Sequence, residues 1–491
     1  YNLRSMAENI DRDFKGDQAW FADYKNEYQA AIKNGESIEN AHKLARENTD
    51  FGRPQPSSEK FKSIQEKLQN INNWDIGAAL RVKARFVHSE MQYNLTNSIL
   101  AALKNIGFDI AIGADRRTHF ITPDGNYFIN PLPEKSNRDI LYSKTGAYIY
   151  VNKKFFNDNF IVGTSLRLDK NDYFKVKPNP RINLQYLPSK ISSVSVSFQQ
   201  AYRFPSIFEA YSNINSGGVK RVGGLPIMSN GVFENGWLVT SISDFQSAVR
   251  NDINKNGLSQ NEAIIKNKEL LKKCPYTYVQ PENIKSFEFT YKAKTVNEKI
   301  NYNLNYYYTI YSSFIAQTNI NVPNTTNADS IPFSLYDKSK QAQYRVWTNS
   351  KSKVYNYGFS GEVSYSINKD LHTSLNFTYA KLKNAENKDG LEDGFNTPSF
   401  MANISLSKKT IFKNIDGGFN YKWQTKYYWQ SFLVSGEVPS FGTLDMHFIY
   451  QYPNSKFSFK VSGTNVLNKY YYSYLGGPNI GEVYMITVKY Q

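Results

Sequence analysis

One cysteine, Cys274, stands in a chain of 491 residues, so no internal disulfide framework supports the fold. No run of about 18 apolar residues is present, which excludes a membrane-spanning helix. The five histidines, His42, His88, His119, His372 and His447, lie far apart, and none has a metal-ligating neighbour at a useful spacing. No nucleophile elbow, phosphate-binding glycine loop or dinucleotide fingerprint sits between a strand and a helix. Enzyme chemistry is therefore not expected, and neither is a cofactor. The chain opens at Tyr1 without a methionine, a basic segment or an apolar stretch, and the expectation is a piece whose natural start lies upstream.

What the chain has in quantity is aromatic side chains, 15% of residues with 37 Tyr and 32 Phe, together with a net charge of +16. The charge suits anionic lipid headgroups or anionic ligands, and equally a solvated surface; a nucleic-acid partner is not expected. The aromatics follow a period of two. In the stretch from Gln280 to Lys292, Ser286, Glu288, Thr290 and Lys292 alternate with Phe287, Phe289 and Tyr291, so one strand face is wet and the other apolar. Val194, Val196 and Phe198 alternate with serines in the same way, as do Leu375, Phe377 and Tyr379 with Ser374, Asn376 and Thr378. Such segments number about fifteen, or sixteen with a Tyr1 stub. Wet faces of Ser, Asn, Thr, Lys and Gln suit a hydrated lumen, and closure of the sheet removes exposed edges. The fold class expected is all-β, a transmembrane antiparallel β-barrel.

The connections support this. Short links fall near 98–103, 153–159, 188–190, 296–299, 368–370, 409–415 and 452–455. Longer ones fall between them, near 116–142, 202–281, 317–353, 383–399, 430–440 and 465–480, with 171–179 as a modest exception. Short turns on one side and long loops on the other mark outer-membrane barrels, with the long loops outside. Counting back from the last strand places the C-terminus in the periplasm. Helical spacing over 17–48, interrupted at Gly35, predicts two helices, and Ser57 or Ser58 caps a third carrying Phe61, Ile64 and Leu68. The block 6–75 is expected to be an extracellular helical loop, and 202–281 a large extracellular loop with helices. Near Val87 the two-residue period slips, which predicts a bulge or a strand projecting above the bilayer.

Three segments resemble the TonB-dependent outer-membrane receptors, in wording nearest to those of the Bacteroidetes. AYRFPSIFEAY, Ala201 to Tyr211, is similar to their FRxPS segment and brings Arg203, Pro205 and Glu209. PENIKSFEFTYK, Pro281 to Lys292, resembles the PE motif that follows it. VSGTNVLNKYYY, with Asn465 and Asn468, resembles the NLFNKxYY motif before the last strand. The resemblance implies a plugged barrel of 22 strands, of which the plug and the first strands would lie upstream. It implies import of a scarce or large nutrient, such as an iron–siderophore complex, across the Gram-negative outer membrane. Energy would come from TonB–ExbB–ExbD through that upstream part. Partners would be outer-membrane lipid and lipopolysaccharide, a nutrient ligand, and companion proteins of a larger outer-membrane complex. A receptor-like scaffold subunit and a passive porin are the alternatives.

The resemblance also implies site residues. Glu288 stands at the motif glutamate and Glu362 on the same face of a later strand, as candidates for contact with plug arginines. Arg203 reads as a strand-end structural residue or as a ligand contact. Tyr336, Tyr344, Arg345 and Trp347 read either as a ligand vestibule or as packing between loops. Tyr484, Ile486, Val488 and Tyr490 form the lipid face of the final strand. One metal-like pattern, Asp252, Asn254 and Asn256 before Gly257, opens like a calcium loop, but its twelfth position is Ala263 and not a glutamate. An Asn-Gly turn followed by a helix capped at Ser259 is the expected reading, without metal.

Overall fold

In a computed structural model the described residues are 17–51, 54, 58–71, 79, 81–123, 127–216, 218–295, 297–384, 391, 396–430 and 434–490. The Tyr1 segment, Gln491 and most of the Arg53–Pro56 stretch lie outside them. Fifteen strands form one antiparallel sheet, beginning with Lys83–Asn94 and ending with Val483–Tyr490. Each wall strand pairs with the next wall strand along the chain. The order therefore skips only the small strands that belong to the long links. No described helix is long and apolar enough to cross a membrane; a β-barrel crosses with its strands.

The register turns the two-residue period into two surfaces. Phe287, Phe289 and Tyr291 stay exposed, whereas Ser286 across the pleat is buried. Phe287 pairs with Phe198, their rings 4.9 Å apart. Phe359, Phe377, Phe400 and Trp423 continue one belt across four strands, with centroid spacings of 5.6, 6.4 and 5.9 Å. An outward belt of touching aromatics suits the membrane interface. The opposite face carries a row in direct register, Lys292, Asn303, Glu362, Asn376, Asn403 and Lys422. Asn403 donates to Asn376 at 2.8 Å there. That row is the wet face.

Link lengths alternate as the pattern predicts, with two adjustments. The short link before Phe108 spans 95–107 and contains a helical turn, Ala101–Lys104. The modest exception at 171–179 reduces to residues 172–173, because Phe174–Ser189 is already strand and Pro178 and Pro180 sit within it. The slip near Val87 is not a bulge. The Lys83–Asn94 strand pairs without interruption from Lys83↔Thr122 to Asn94↔Ala111. The ladder through Val87 therefore needs no local kink to account for the slip.

Helices Asp17–Lys33 and Ile38–Asp50 pack as a hairpin around Gly35, and Ser58 caps Glu59–Asn70 by accepting from Phe61 N–H at 3.2 Å. The two longest links, 204–281 and 313–353, do not behave as separate loops. Their strands join in one five-stranded sheet, ordered Asn213–Ser216, Val219–Val222, Gln341–Asn349, Ile315–Pro323 and Trp237–Leu238. One of its pairings, Val219–Val222 with Gln341–Asn349, is parallel. Helices Val239–Asn256, Gln260–Asn267 and Ile331–Tyr336 close a separate core containing Phe245, Val249, Ala263, Ile264 and Leu335. A second core, with Ile121, Tyr142, Tyr211, Leu225, Val279 and Ile315, joins this subdomain to the wall.

Phe245 is fully buried, so Phe245→Ala should cost the subdomain about 3–5 kcal/mol. Protease should then nick within 204–281 or 313–353 while the wall keeps its heat-resistant migration. Equal loss of both would show that the subdomain has no core of its own.

Candidate functional site

The end of the wall that carries the long links is organised by an arginine. Arg203 closes the Ser192–Arg203 strand, and Glu282 opens the neighbouring Glu282–Lys294 strand directly opposite it. The Arg203 guanidinium reaches Glu209 at 2.9 and 3.1 Å and Glu282 at 3.1 Å. Glu282 is 2% exposed and also accepts from the Ile315 N–H at 3.1 Å. Glu209 serves a second purpose. It accepts from Ser206 N–H at 2.6 Å while Ser206 Oγ accepts from Glu209 N–H at 3.2 Å, a capping box on the helix Ile207–Tyr211. The intervening Pro205 offers its carbonyl to the buried Tyr142 hydroxyl. Four segments (two strand ends, one helix and the start of Ile315–Pro323) therefore meet around the Arg203–Glu282 pair. The fork geometry of arginine suits two carboxylates at once.

The vestibule residues are packing residues in this structure. Tyr336 stacks edge-on against Phe245, Trp347 against Phe208, and Tyr344 lies against the core around Ile320 and Val346. Arg345 donates to Gln317 across the strand pair.

Glu288 faces the wet side, half-buried, and accepts from Gln199 at 3.2 Å. Glu362 is exposed on the same face. Register places Glu288 opposite Tyr307 and hence Gly358, four residues from Glu362, roughly 13 Å along the strand. The two are not a pair. Neither carboxylate joins an ion pair among the described residues.

A denser charge cluster, which no motif announced, lies elsewhere on this face. Arg167 bonds Asp169 at 2.9 and 3.0 Å and also contacts Asp115. Asn179 donates to Asp169 at 2.7 Å, and Lys144 stands 3.6 Å from it. Gly146 lies between these strands, where a Cβ would collide with the guanidinium. Arg167 and Asp169 alternate with Leu166 and Leu168 and so share one face, and strand pairing brings Asp115 to them.

Asn465 and Asn468 both adopt left-handed backbone, φ 50° and 47°, a conformation Asn tolerates. Asn465 N–H donates to Asp445 at 3.1 Å, its amide donates to Lys469 O at 3.1 Å, and Asn468 N–H reaches Asn465 O at 2.8 Å. On the final strand Tyr484, Ile486, Val488 and Tyr490 pair with Gly463, Val461, Phe459 and Phe457, on the aromatic side of the sheet.

The calcium-like stretch is helical. Asp252, Asn254 and Asn256 belong to Val239–Asn256, which ends on Gly257 at φ 67°. Asp252 accepts from Lys266 at 2.9 Å, Asn267 at 2.8 Å and Asn256 at 2.6 Å. Ser259 caps the next helix in a capping box with Glu262. Among the described residues no cluster of His, Cys, Asp and Glu is arranged to hold a metal.

Residues 2–468 match the family model described as TonB dependent receptor-like, beta-barrel. The chain belongs to this family, and its fold is that of a transmembrane antiparallel β-barrel. Similar solved structures include the siderophore receptor PirA from Acinetobacter baumannii, at 14% identity and a TM-score of 0.54, covering 83% of this chain and 55% of that one. The FrpB iron transporter from Neisseria meningitidis gives 14% and 0.53 over 83% and 55%. A mutant form of the ferric enterobactin receptor PfeA from Pseudomonas aeruginosa gives 12% and 0.54 over 83% and 53%. The chain thus spans a little over half the length of these proteins. Comparison with curated proteins gives no match.

Two predictions come from these contacts. Arg203→Met leaves buried Glu282 uncompensated and should cost about 3–5 kcal/mol; adding Glu282→Gln should recover part of that loss in denaturant unfolding. Strict additivity would mean the two groups do not act together. The carboxyl of Asp252 is held down at about 2 from an ordinary 3.8, first by the Lys266 hydrogen bond and then by Asn267 and Asn256. Its folded value lies below its unfolded one, so its contribution is complete above roughly pH 4 and is lost as pH falls toward about 2. Hydrogen-exchange protection over 239–267, corrected for intrinsic rates, should fall across that window, and Asp252→Asn should abolish the step.

Proposed function

We propose that this chain forms part of the wall and outer mouth of a TonB-dependent importer for a scarce or large nutrient in the Gram-negative outer membrane. The single observation that supports this most is the family match over residues 2–468, on a wall with one aromatic and one polar face. The long links, including the 204–281 and 313–353 subdomain, are extracellular in this reading. The short turns and the C-terminus are periplasmic. Tyr484, Ile486, Val488 and Tyr490 face lipid, as their pairing with Phe457, Phe459 and Val461 suggests. Binding and passage are the whole activity, with no bond chemistry.

Glu288 and Glu362 are the wall carboxylates available to arginines of a plug, Glu288 first because its partner among the described residues is the neutral Gln199. A charge-assisted contact in a confined lumen would be strong. Coupling to TonB–ExbB–ExbD belongs to the part of the protein that carries the plug.

Cysteines introduced on a Cys274→Ser background should be labelled by an impermeant reagent on intact cells within 204–281 and 313–353. Labelling at 297–299 or 368–370 instead would overturn the topology. Uptake of the nutrient by whole cells should disappear on deletion of either this protein or TonB, and Glu288→Gln should reduce it. Uptake that survives loss of TonB would make the protein a porin; growth unaffected by its deletion, with stable co-purifying partners, would make it a scaffold.

A further inference from the structure

The 465–482 link folds back over the wet face of the wall and roofs a cavity of about 450 Å3. Tyr471 and Ile480 hold the roof together through two backbone hydrogen bonds of 3.3 and 2.7 Å. The floor belongs to neighbouring strands, Phe400–Phe412, Ile415–Gln424 and Phe441–Gln451.

We infer that this cavity binds a neutral, polyhydroxylated ligand, a short oligosaccharide segment. Its charge argues for neutrality. The charged side chains lining it are Lys422 and Asp445, and they neutralise each other at 2.7 Å. A charged ligand would have to break that pair and leave one member uncompensated. A hydroxyl can add to it without breaking it. The amides supply unused capacity. Asn403 gives one N–H to Asn376 and keeps the other together with its carbonyl, and Gln424 makes no side-chain hydrogen bond among the described residues. Asn465 also lines the cavity, but it is 2% exposed and its amide donates to Lys469 O, so it holds the turn in place. Beside these groups Phe441 and Tyr471 stack at 4.2 Å, 24° from parallel. Both rings line the cavity, and their apolar carbon suits the C–H face of a sugar ring. Few convergent polar groups on an aromatic wall, at this volume, are the make-up of a small-molecule site.

The inference deepens the import reading by naming a substrate class, yet binding can be measured without uptake. Isothermal titration of the intact purified protein with maltotriose, cellotriose and mannotriose should find at least one that binds. Asn403→Leu and Gln424→Leu should each weaken it about tenfold or more, with heat-resistant migration confirming that the barrel is folded. If a leucine variant does not fold, Gln424→Glu takes its place and should weaken binding likewise. Ferric citrate, a charged probe, should not displace the sugar. No binding of any of the three up to roughly 10 mM, or binding indifferent to these variants, would overturn the inference, and displacement by ferric citrate would overturn the neutral assignment. Sugar binding in a protein whose cells take up nothing would instead leave the site standing and remove the import reading.

Discussion

In a bilayer, a backbone N–H or C=O without a partner costs several kcal/mol, because no water is there to replace the lost bond. Everything in this chain follows from answering that cost with antiparallel ladders. Fifteen strands pair neighbour to neighbour, and once the ladder is set, side chains have only two directions to go. Aromatic rows such as Phe359, Phe377, Phe400 and Trp423 fall on one side, amides and charges on the other. A slip of one residue would exchange the two faces along a whole strand, so alternation and register enforce each other.

The ladder ends at the mouth, and there the chain changes its means of satisfaction. Glu282 is the outermost residue of its strand to pair in the wall, and it is nearly inaccessible. Arg203 neutralises it and at the same time holds the capping glutamate of the next helix. Such a buried pair adds little net stability over an apolar contact of the same shape, but losing one member is expensive. Its value is positional. It fixes where the wall stops and where the 204–281 segment departs, so that the segment meets 313–353 in register and the two build a sheet.

The neutral cavity under the 465–482 link stands in contrast to the overall charge of +16. Net charge summed over a chain says nothing about the sign at a particular cavity, because opposite charges such as Lys422 and Asp445 cancel within 2.7 Å. The charge suited anionic lipid, anionic ligands or a solvated surface alike; at this cavity the local pairing leaves no net charge.

The amino-acid sequence alone determined the strand count, the alternation of long and short links, the helices at 17–50 and 59–70, and the family. These are local properties, carried by a period of two, by capping residues such as Ser58 and Ser259, and by short motifs. Its bulge alternative at Val87 fails against an unbroken ladder, and it undercounted strand at Pro178 and Pro180. Tertiary structure decided everything that needs two distant segments. It joined two separate loops into one mixed sheet, gathered Asp115 to Arg167 and Asp169, turned the vestibule residues into packing, and brought Glu282 to Arg203 across 79 positions. No periodicity encodes such meetings, because a motif specifies the residues and only the register of the strands specifies which of them touch.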